Sequence, residues 1–161
     1  MRPVIERLRA EIRSDRQAVA RWLDQVARVD LRSDSDRGAL AEVAWALHHA
    51  YTGIEAILER TMRTIEGSLP EAADFHKAIL DAAALAIESV RPGLLQPATV
   101  AALHDLRAFR HFVRHAYAVE LDARRLADLQ RRTQSLRPAL EADLDQLDQW
   151  LAEVARQYRT D

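Results

Sequence analysis

Two arginines, two histidines and a tyrosine fall within eight residues, RHFVRHAY, at positions 110–117. A histidine can take or give a proton near neutral pH. An arginine can hold a phosphate and stabilise charge that develops on its oxygens. These groups suit phosphate chemistry without a metal, in which a ribose 2′-OH serves as the internal nucleophile. The residue types therefore predict RNA, and not DNA, as a substrate.

The same stretch has the spacing of an amphipathic helix. At about 100° per residue, the apolar members of the stretch fall on a core face together with Leu106 and Phe109, which precede it. The polar members share a second face, here called the basic arc: His104, Arg107, Arg110, His111, Arg114 and His115. The sequence has no acidic residue between Arg107 and Ala118, so the arginines lack i,i+4 partners on their own helix. Either the arc is an ordinary solvated face, or an anion or acidic groups of another helix or subunit lie opposite.

A metal site is the weaker interpretation of the arc. His111 and His115 have the i,i+4 spacing of two ligands, but the adjacent arginines oppose a cation and no carboxylate lies nearby in the sequence. The chain contains no cysteine, which excludes thiolate sites and disulfides. We therefore expect neither a metal nor another cofactor.

Apolar periodicity and punctuation predict the helices that must position the arc. Four of the expected helices run from about Pro3 to Val29, Gly38 to Ile65, Pro97 to Glu120, and Asp122 to Tyr158. A further helix, third in chain order, should start at a capping box formed by Ser68 and Glu71 and end near Ala86. Pro138 should kink or split the last of these. The sequence thus predicts an all-α fold: an up-and-down bundle of four main helices plus an extra or kinked C-terminal helix.

Length and composition narrow the class of protein. The 161 residues suit one domain, expected over 1–161, and the mixture of apolar and charged residues indicates a folded chain. No apolar run approaches the twenty residues of a membrane span, and the N-terminus lacks a signal-peptide core, so no membrane contact and a cytoplasmic location are expected. The net charge of −2 gives no overall attraction to nucleic acid, so any such attraction must be local.

The pattern R-x4-H-x-Y, formed by Arg110, His115 and Tyr117, resembles the signature of HepT-type toxins of the HEPN superfamily. His111, directly after the arginine, is polar as in the wider superfamily, and ALHHAYTGIEAILERTMR at 46–63 is similar to the family's long second helix. The resemblance implies a HEPN-like helical bundle that acts as a metal-independent endoribonuclease toxin. It covers most of the chain in architecture, while only the eight-residue motif is specific.

The resemblance also implies roles for individual residues. Arg110 and His115 would form the catalytic pair, in a cleft between two subunits of a homodimer. His111 and Arg114 would be supporting phosphate contacts, with Arg107 and His104 as weaker candidates. An MntA-like nucleotidyltransferase antitoxin would silence the toxin by attaching AMP to Tyr117. The alternative is a non-catalytic helical subunit that binds a nucleotidyltransferase, a nucleotide or an acidic surface.

Other histidines and tryptophans lie outside this motif. His48 and His49 sit close to Tyr51 and Glu55 in the sequence, and His48 could line the cleft or pair with Tyr51; a structural role is favoured. His76 is expected at the surface. Trp22, Trp45 and Trp150 are expected to be core or interface anchors.

Overall fold

The computed structural model describes residues 1–32, 36–115 and 121–158, and for 111–115 it describes the backbone alone. Within these ranges the chain forms five helices: α1 (Arg2–Arg28), α2 (Arg37–Ile65), α3 (Phe75–Ala84), α4 (Pro97–His115) and α5 (Ala123–Gln157). The described residues contain no β-strand, only an isolated bridge between Ile87 and Arg91. The all-α prediction is therefore confirmed.

Aspartates begin three of the helices, as the capping preference of short carboxylates predicts. Asp36 accepts a hydrogen bond from the Ala39 amide at 2.8 Å, and Asp74 and Asp122 cap α3 and α5 in the same way. α2 ends at Ile65, where Gly67 takes a left-handed φ of 76° that a glycine adopts without strain.

The third helix begins later and ends earlier than its sequence pattern predicts. The capping box at Ser68 and Glu71 does not start it, because Asp74 is the N-cap and helical structure begins at Phe75. Leu85, expected on the apolar side of this helix, lies beyond its end and is 62% exposed. The spacing of a capping box is short enough to occur without a helix behind it.

α1 runs antiparallel to both α2 and α5 along much of its length. The Trp22 ring, in the last third of α1, stacks on His49, in the first half of α2, with centroids 4.6 Å apart. A Cβ on Gly53 would lie 2.6 Å from a methyl of Val19, so this glycine permits the close approach of α1 and α2. α5 is tied to α1 by two ion pairs in antiparallel order, Arg9 with Asp148 and Arg137 with Asp24.

α4 runs antiparallel to α2 and α5, which completes the predicted up-and-down arrangement. Arg91, before the start of α4, pairs with Glu66 just after α2, whereas Arg110 near the end of α4 lies beside Glu55 in the middle of α2. Asp105 of α4 pairs with Arg132 of α5. The short α3 lies against α2 and α4 and presents its side chains to the basic arc.

α2 is the central element, because it contacts each of the other four helices. Its fully buried side chains include Leu47, Tyr51, Ile54 and Leu58, and they join leucines of α4 and α5 in one core. α5 continues through Pro138 as one helix, so of the two predicted outcomes, a kink or a split, the split does not occur. No helix in the described ranges combines the length and the apolar character needed to cross a bilayer.

Candidate functional site

The basic arc lies along the side of α4 that meets α2 and α3. Its described side chains are those of His104, Arg107 and Arg110. The side chains of His111, Arg114 and His115 lie outside the described residues, although the α4 backbone extends to His115. Tyr117 lies outside them altogether. The site is therefore built upward from Arg110.

Arg110 is largely withdrawn from solvent, with 13% of its side chain exposed. Its Nη1 lies 3.1 Å from Nε2 of His76 on α3 and 3.9 Å from Oε1 of Glu55 on α2. Its guanidinium carbon lies 5.7 Å from the centre of the Tyr51 ring, within the range of a cation–π contact. Two helices besides its own thus fix the position of this arginine.

Glu55 is the buried carboxylate at the centre of this cluster. Its side chain is 5% exposed, and its Oε2 accepts hydrogen bonds from the Tyr51 hydroxyl at 3.0 Å and lies 2.7 Å from Nδ1 of His76. Burial and the neighbouring Glu55 carboxylate raise the pKa of Tyr51 well above its usual value. Tyr51 therefore stays protonated and donates, which helps to satisfy a charge that would be costly to bury unpaired.

His76 is the residue that the sequence interpretation missed. Its side chain is 36% exposed, so the prediction of a surface position is only partly right. Both of its ring nitrogens have partners, Glu55 on one side and Arg110 on the other. The contact with Arg110 spans 34 positions, and no local pattern around His76 indicates it. The four residues Tyr51, Glu55, His76 and Arg110 are called the Arg110 cluster below.

The rest of the described arc faces acidic residues of α3. Nη1 of Arg107 lies 2.8 Å from the carboxylate of Asp74, and Nε2 of His104 lies 2.9 Å from that of Asp81. The expectation that acidic groups lie opposite the arc is thus confirmed for its described members, with another helix supplying them. These groups are partly exposed, so each pair contributes modestly to stability.

The two carboxylates opposite the arc are held in their charged form. The amide of Lys77 lowers the pKa of Asp74 by hydrogen bonding, with a further contribution from the charge of Arg107. The ammonium of Lys77 lowers the pKa of Asp81, and the hydrogen bond with His104 acts in the same direction. The arc is therefore less positive in the fold than its sequence suggests.

Two donors of the arc remain without an acceptor. The Nε atoms of Arg107 and Arg110 are buried and make no hydrogen bond within the described part of the chain. A buried donor that stays unpaired costs about 1–3 kcal/mol, which natural structures rarely leave uncompensated. The two arginines therefore have hydrogen-bonding capacity beyond what α2 and α3 satisfy.

The histidine pair on α2 belongs to an aromatic cluster and not to the Arg110 cluster. The His49 ring stacks on Trp22 and meets Trp45 edge to face at 4.3 Å, and His48 lies beside both Trp45 and His49. The Tyr51 hydroxyl is directed to Glu55, which favours the structural interpretation of these residues. Trp45 is 58% exposed and so is not a core residue, whereas Trp22 and Trp150 pack partly against the core.

Metal ligation has no basis in the described side chains. Over the ranges that the structure describes, no three histidine, aspartate or glutamate residues are grouped so that they could hold a metal ion. The pair His111 and His115, considered above as a possible two-ligand site, lies outside the described side chains.

Comparison with known proteins identifies the family. A family model for the HepT-like protein matches residues 42–151, about two thirds of the chain, from the second turn of α2 to near the end of α5. No curated protein and no solved structure matches the chain. The match spans α2, α3 and α4 and so contains every residue of the Arg110 cluster. The chain therefore belongs to the HepT-like family of the HEPN superfamily.

Proposed function

We propose that this protein is a metal-independent endoribonuclease toxin in which Arg110 and His115 carry the chemistry. The observation that supports this most strongly is the placement of Arg110. A family-signature arginine is held near the end of α4 by side chains from α2 and α3, yet its Nε has no acceptor among the described residues. An RNA phosphate is a ligand that can use such a donor.

The proposed reaction divides the work between the two residues. The ribose 2′-oxygen attacks the adjacent phosphorus, a bond forms between them, and the bond to the 5′-oxygen breaks. His115 takes the proton of the 2′-OH or delivers one to the leaving 5′-oxygen. Arg110 stabilises the charge on the non-bridging oxygens, supported by His111, Arg114 and Arg107. The products are a 2′,3′-cyclic phosphate and a free 5′-hydroxyl.

His115→Ala tests the ribonuclease function. We expect RNA cleavage to fall by at least about a hundredfold and toxicity in cells to disappear, because general acid–base catalysis contributes roughly that much. Thermal unfolding should match that of the wild type, which would show that the fold persists. Equal cleavage by the mutant, or a wild-type protein that yields no cyclic-phosphate ends, would refute the proposal.

Regulation by a nucleotidyltransferase partner is proposed through Tyr117. An AMP group on this tyrosine would place negative charge two residues beyond His115 and oppose RNA binding. The mass of the protein after co-expression with its partner measures the modification, since each AMP adds about 329 Da to a hydroxyl. Tyr117→Phe should abolish the added mass and leave the protein active in the presence of the partner.

A non-catalytic subunit is the second candidate function, and one observation favours it. Asp74 and Asp81 already pair with Arg107 and His104, so part of the arc is neutralised within the chain. Such a subunit, working with a similar copy in a homodimer or with a nucleotidyltransferase, would bind a partner without cutting RNA. Incubation of the purified protein with RNA separates the candidates, because only the ribonuclease generates cyclic-phosphate ends.

A further inference from the structure

His76 has both ring nitrogens engaged, and the two partners restrict its protonation state. Nε2 faces Nη1 of Arg110 at 3.1 Å, and Nδ1 faces Oε2 of Glu55 at 2.7 Å. A guanidinium has donors and no acceptor, whereas a carboxylate accepts. Nε2 must therefore be unprotonated to accept from Arg110, and Nδ1 must carry the hydrogen that it donates to Glu55.

One of the three protonation states of an imidazole satisfies both contacts. The tautomer with hydrogen on Nε2 would place this N–H donor against the N–H donor of Arg110. It would also leave the Glu55 carboxylate facing the lone pair of Nδ1. The doubly protonated ring would keep the Glu55 contact and place a second cation 3.1 Å from Arg110. The neutral tautomer with hydrogen on Nδ1 meets both requirements, and the buried Glu55 carboxylate selects it.

We propose that His76 is a positioning residue: Glu55 fixes a ring hydrogen on Nδ1, which leaves Nε2 free to accept from Arg110 and orient its guanidinium. This inference rests on the proposed ribonuclease function for its catalytic meaning, while the tautomer itself does not depend on that function. The rigid Tyr51 ring on the other side of Arg110 completes the support. A catalytic arginine held in one orientation loses less freedom when it binds a phosphate.

Nε2 of His76 is the acceptor that the described residues place within hydrogen-bond distance of the Arg110 guanidinium, since the Glu55 carboxylate lies farther away, at 3.9 Å. Removal of this acceptor should let the guanidinium turn toward Glu55. Activity should therefore fall when residue 76 can no longer accept from Arg110.

Two substitutions separate the loss of the two contacts from the loss of the ring itself. His76→Gln retains a carbonyl that can accept from Arg110 and an amide that can donate to Glu55. His76→Leu removes both contacts. Lys77→Gln on the same helix is the matched control, because Lys77 pairs with Asp81 on the exposed side and does not contact Arg110.

The first measurement is the tautomer, read from the ring nitrogen resonances of the full-length protein labelled with ¹⁵N-histidine at about pH 8. The signal that disappears in His76→Gln identifies residue 76. Hydrogen on Nδ1 and none on Nε2 is the expected result. A ring with hydrogen on Nε2, or on both nitrogens, would overturn the inference whether or not the protein cleaves RNA.

The second measurement is the rate of RNA cleavage. We expect His76→Leu to lower kcat by about tenfold with a smaller effect on KM, as is typical for groups that orient a functional residue. His76→Gln should retain most of kcat because its carbonyl can still accept from Arg110, and Lys77→Gln should behave like the wild type. A folded His76→Leu protein with unchanged kcat would overturn the positioning role. A wild type that cuts no RNA would instead refute the proposed function and leave the tautomer to decide this inference.

Discussion

Two arginines of this bundle are withdrawn from water in different ways. Arg91, between α3 and α4, is 4% exposed, and each nitrogen of its guanidinium has an acceptor. Nε donates to Glu66 at 2.6 Å, and the other two nitrogens donate to three backbone carbonyls, those of Ala82, Leu85 and Pro92. Arg91 therefore works as a clamp that joins the end of α2 to the end of α3.

Arg110 is also largely withdrawn from water, with 13% of its side chain exposed against 1% for Arg91, but fewer of its donors have acceptors. Its contacts are a nitrogen of His76, the face of Tyr51 and a carboxylate at 3.9 Å, and its Nε has no acceptor within the described residues. A structural arginine saturates its donors, because an unpaired buried donor costs free energy. The difference supports the proposed role of Arg110, because Arg91 uses its donors for stability whereas Arg110 keeps one donor, Nε, that a ligand could use.

The largest effect is expected for Arg91→Met. This change leaves Glu66 and three carbonyls without their donor, so the free energy of unfolding should fall by about 3–5 kcal/mol. Urea denaturation followed by circular dichroism measures it. Arg131→Met, at a side chain that is 70% exposed, is the control and should change stability by less than about 0.5 kcal/mol. Equal stabilities of the two variants would show that the clamp contributes nothing.

Arg110→Lys should reverse the pattern, with a large loss of activity and a small loss of stability. A lysine keeps the charge but cannot reproduce the planar contacts with His76 and Tyr51, so kcat/KM for RNA cleavage should fall by about a hundredfold. The free energy of unfolding should change by less than about 2 kcal/mol. If Arg110→Lys instead destabilised the protein as much as Arg91→Met, Arg110 would be a structural residue and the contrast would fail.

Tyr51→Phe tests how the buried carboxylate of the Arg110 cluster is satisfied. The ring remains beneath Arg110, but Glu55 loses the hydroxyl that donates to it at 3.0 Å. Because hydrogen bonds to charged groups contribute more than neutral ones, stability should fall by about 1.5–2 kcal/mol. The control is Tyr158→Phe, at a residue that is 46% exposed, and it should be neutral. A stable Tyr51→Phe protein would indicate that His76 and Arg110 satisfy Glu55 alone.

Most of the fold could be predicted because it depends on apolar periodicity, which the long helices express over many turns. The expected bounds of α1, α2 and α5 differ from the observed ones by at most one residue at each end. The prediction failed at α3, where ten residues give too few turns for a reliable period and a chance S-x-x-E spacing imitates a cap. Caps are local, but their spacing alone does not show that a helix follows.

The candidate site was only half predictable. The spacing R-x4-H-x-Y singled out Arg110, because a motif of eight residues is local in sequence, and its catalytic role stays a prediction. Its supporting residues Glu55 and His76 lie 55 and 34 positions away, and they meet Arg110 because of the register between three helices. The helical period predicts which face of a helix a residue occupies, but it does not predict the axial register between two packed helices. No sequence pattern could therefore assign His76 to Arg110.

The smallest effect concerns the ion pairs on the solvent side of the same arc, which should contribute far less than the Arg91 clamp. Lys77 and His104 lower the pKa of Asp81 below its ordinary value of 3.8. A carboxylate whose pKa is lowered by folding stabilises the fold at a pH above its unfolded-state pKa. This contribution is lost as the pH falls through its folded-state pKa.

Asp81→Asn should therefore lower the free energy of unfolding by less than about 1 kcal/mol at pH 5, since Asp81 is 45% exposed. Denaturation of both proteins between about pH 5 and pH 2.5 should show the difference shrinking toward zero as Asp81 of the wild type takes up its proton. A difference in stability that grows as the pH falls would mean that charged Asp81 destabilises the fold. The ion pairs of Asp81 with Lys77 and His104 would then need a functional explanation in place of a structural one.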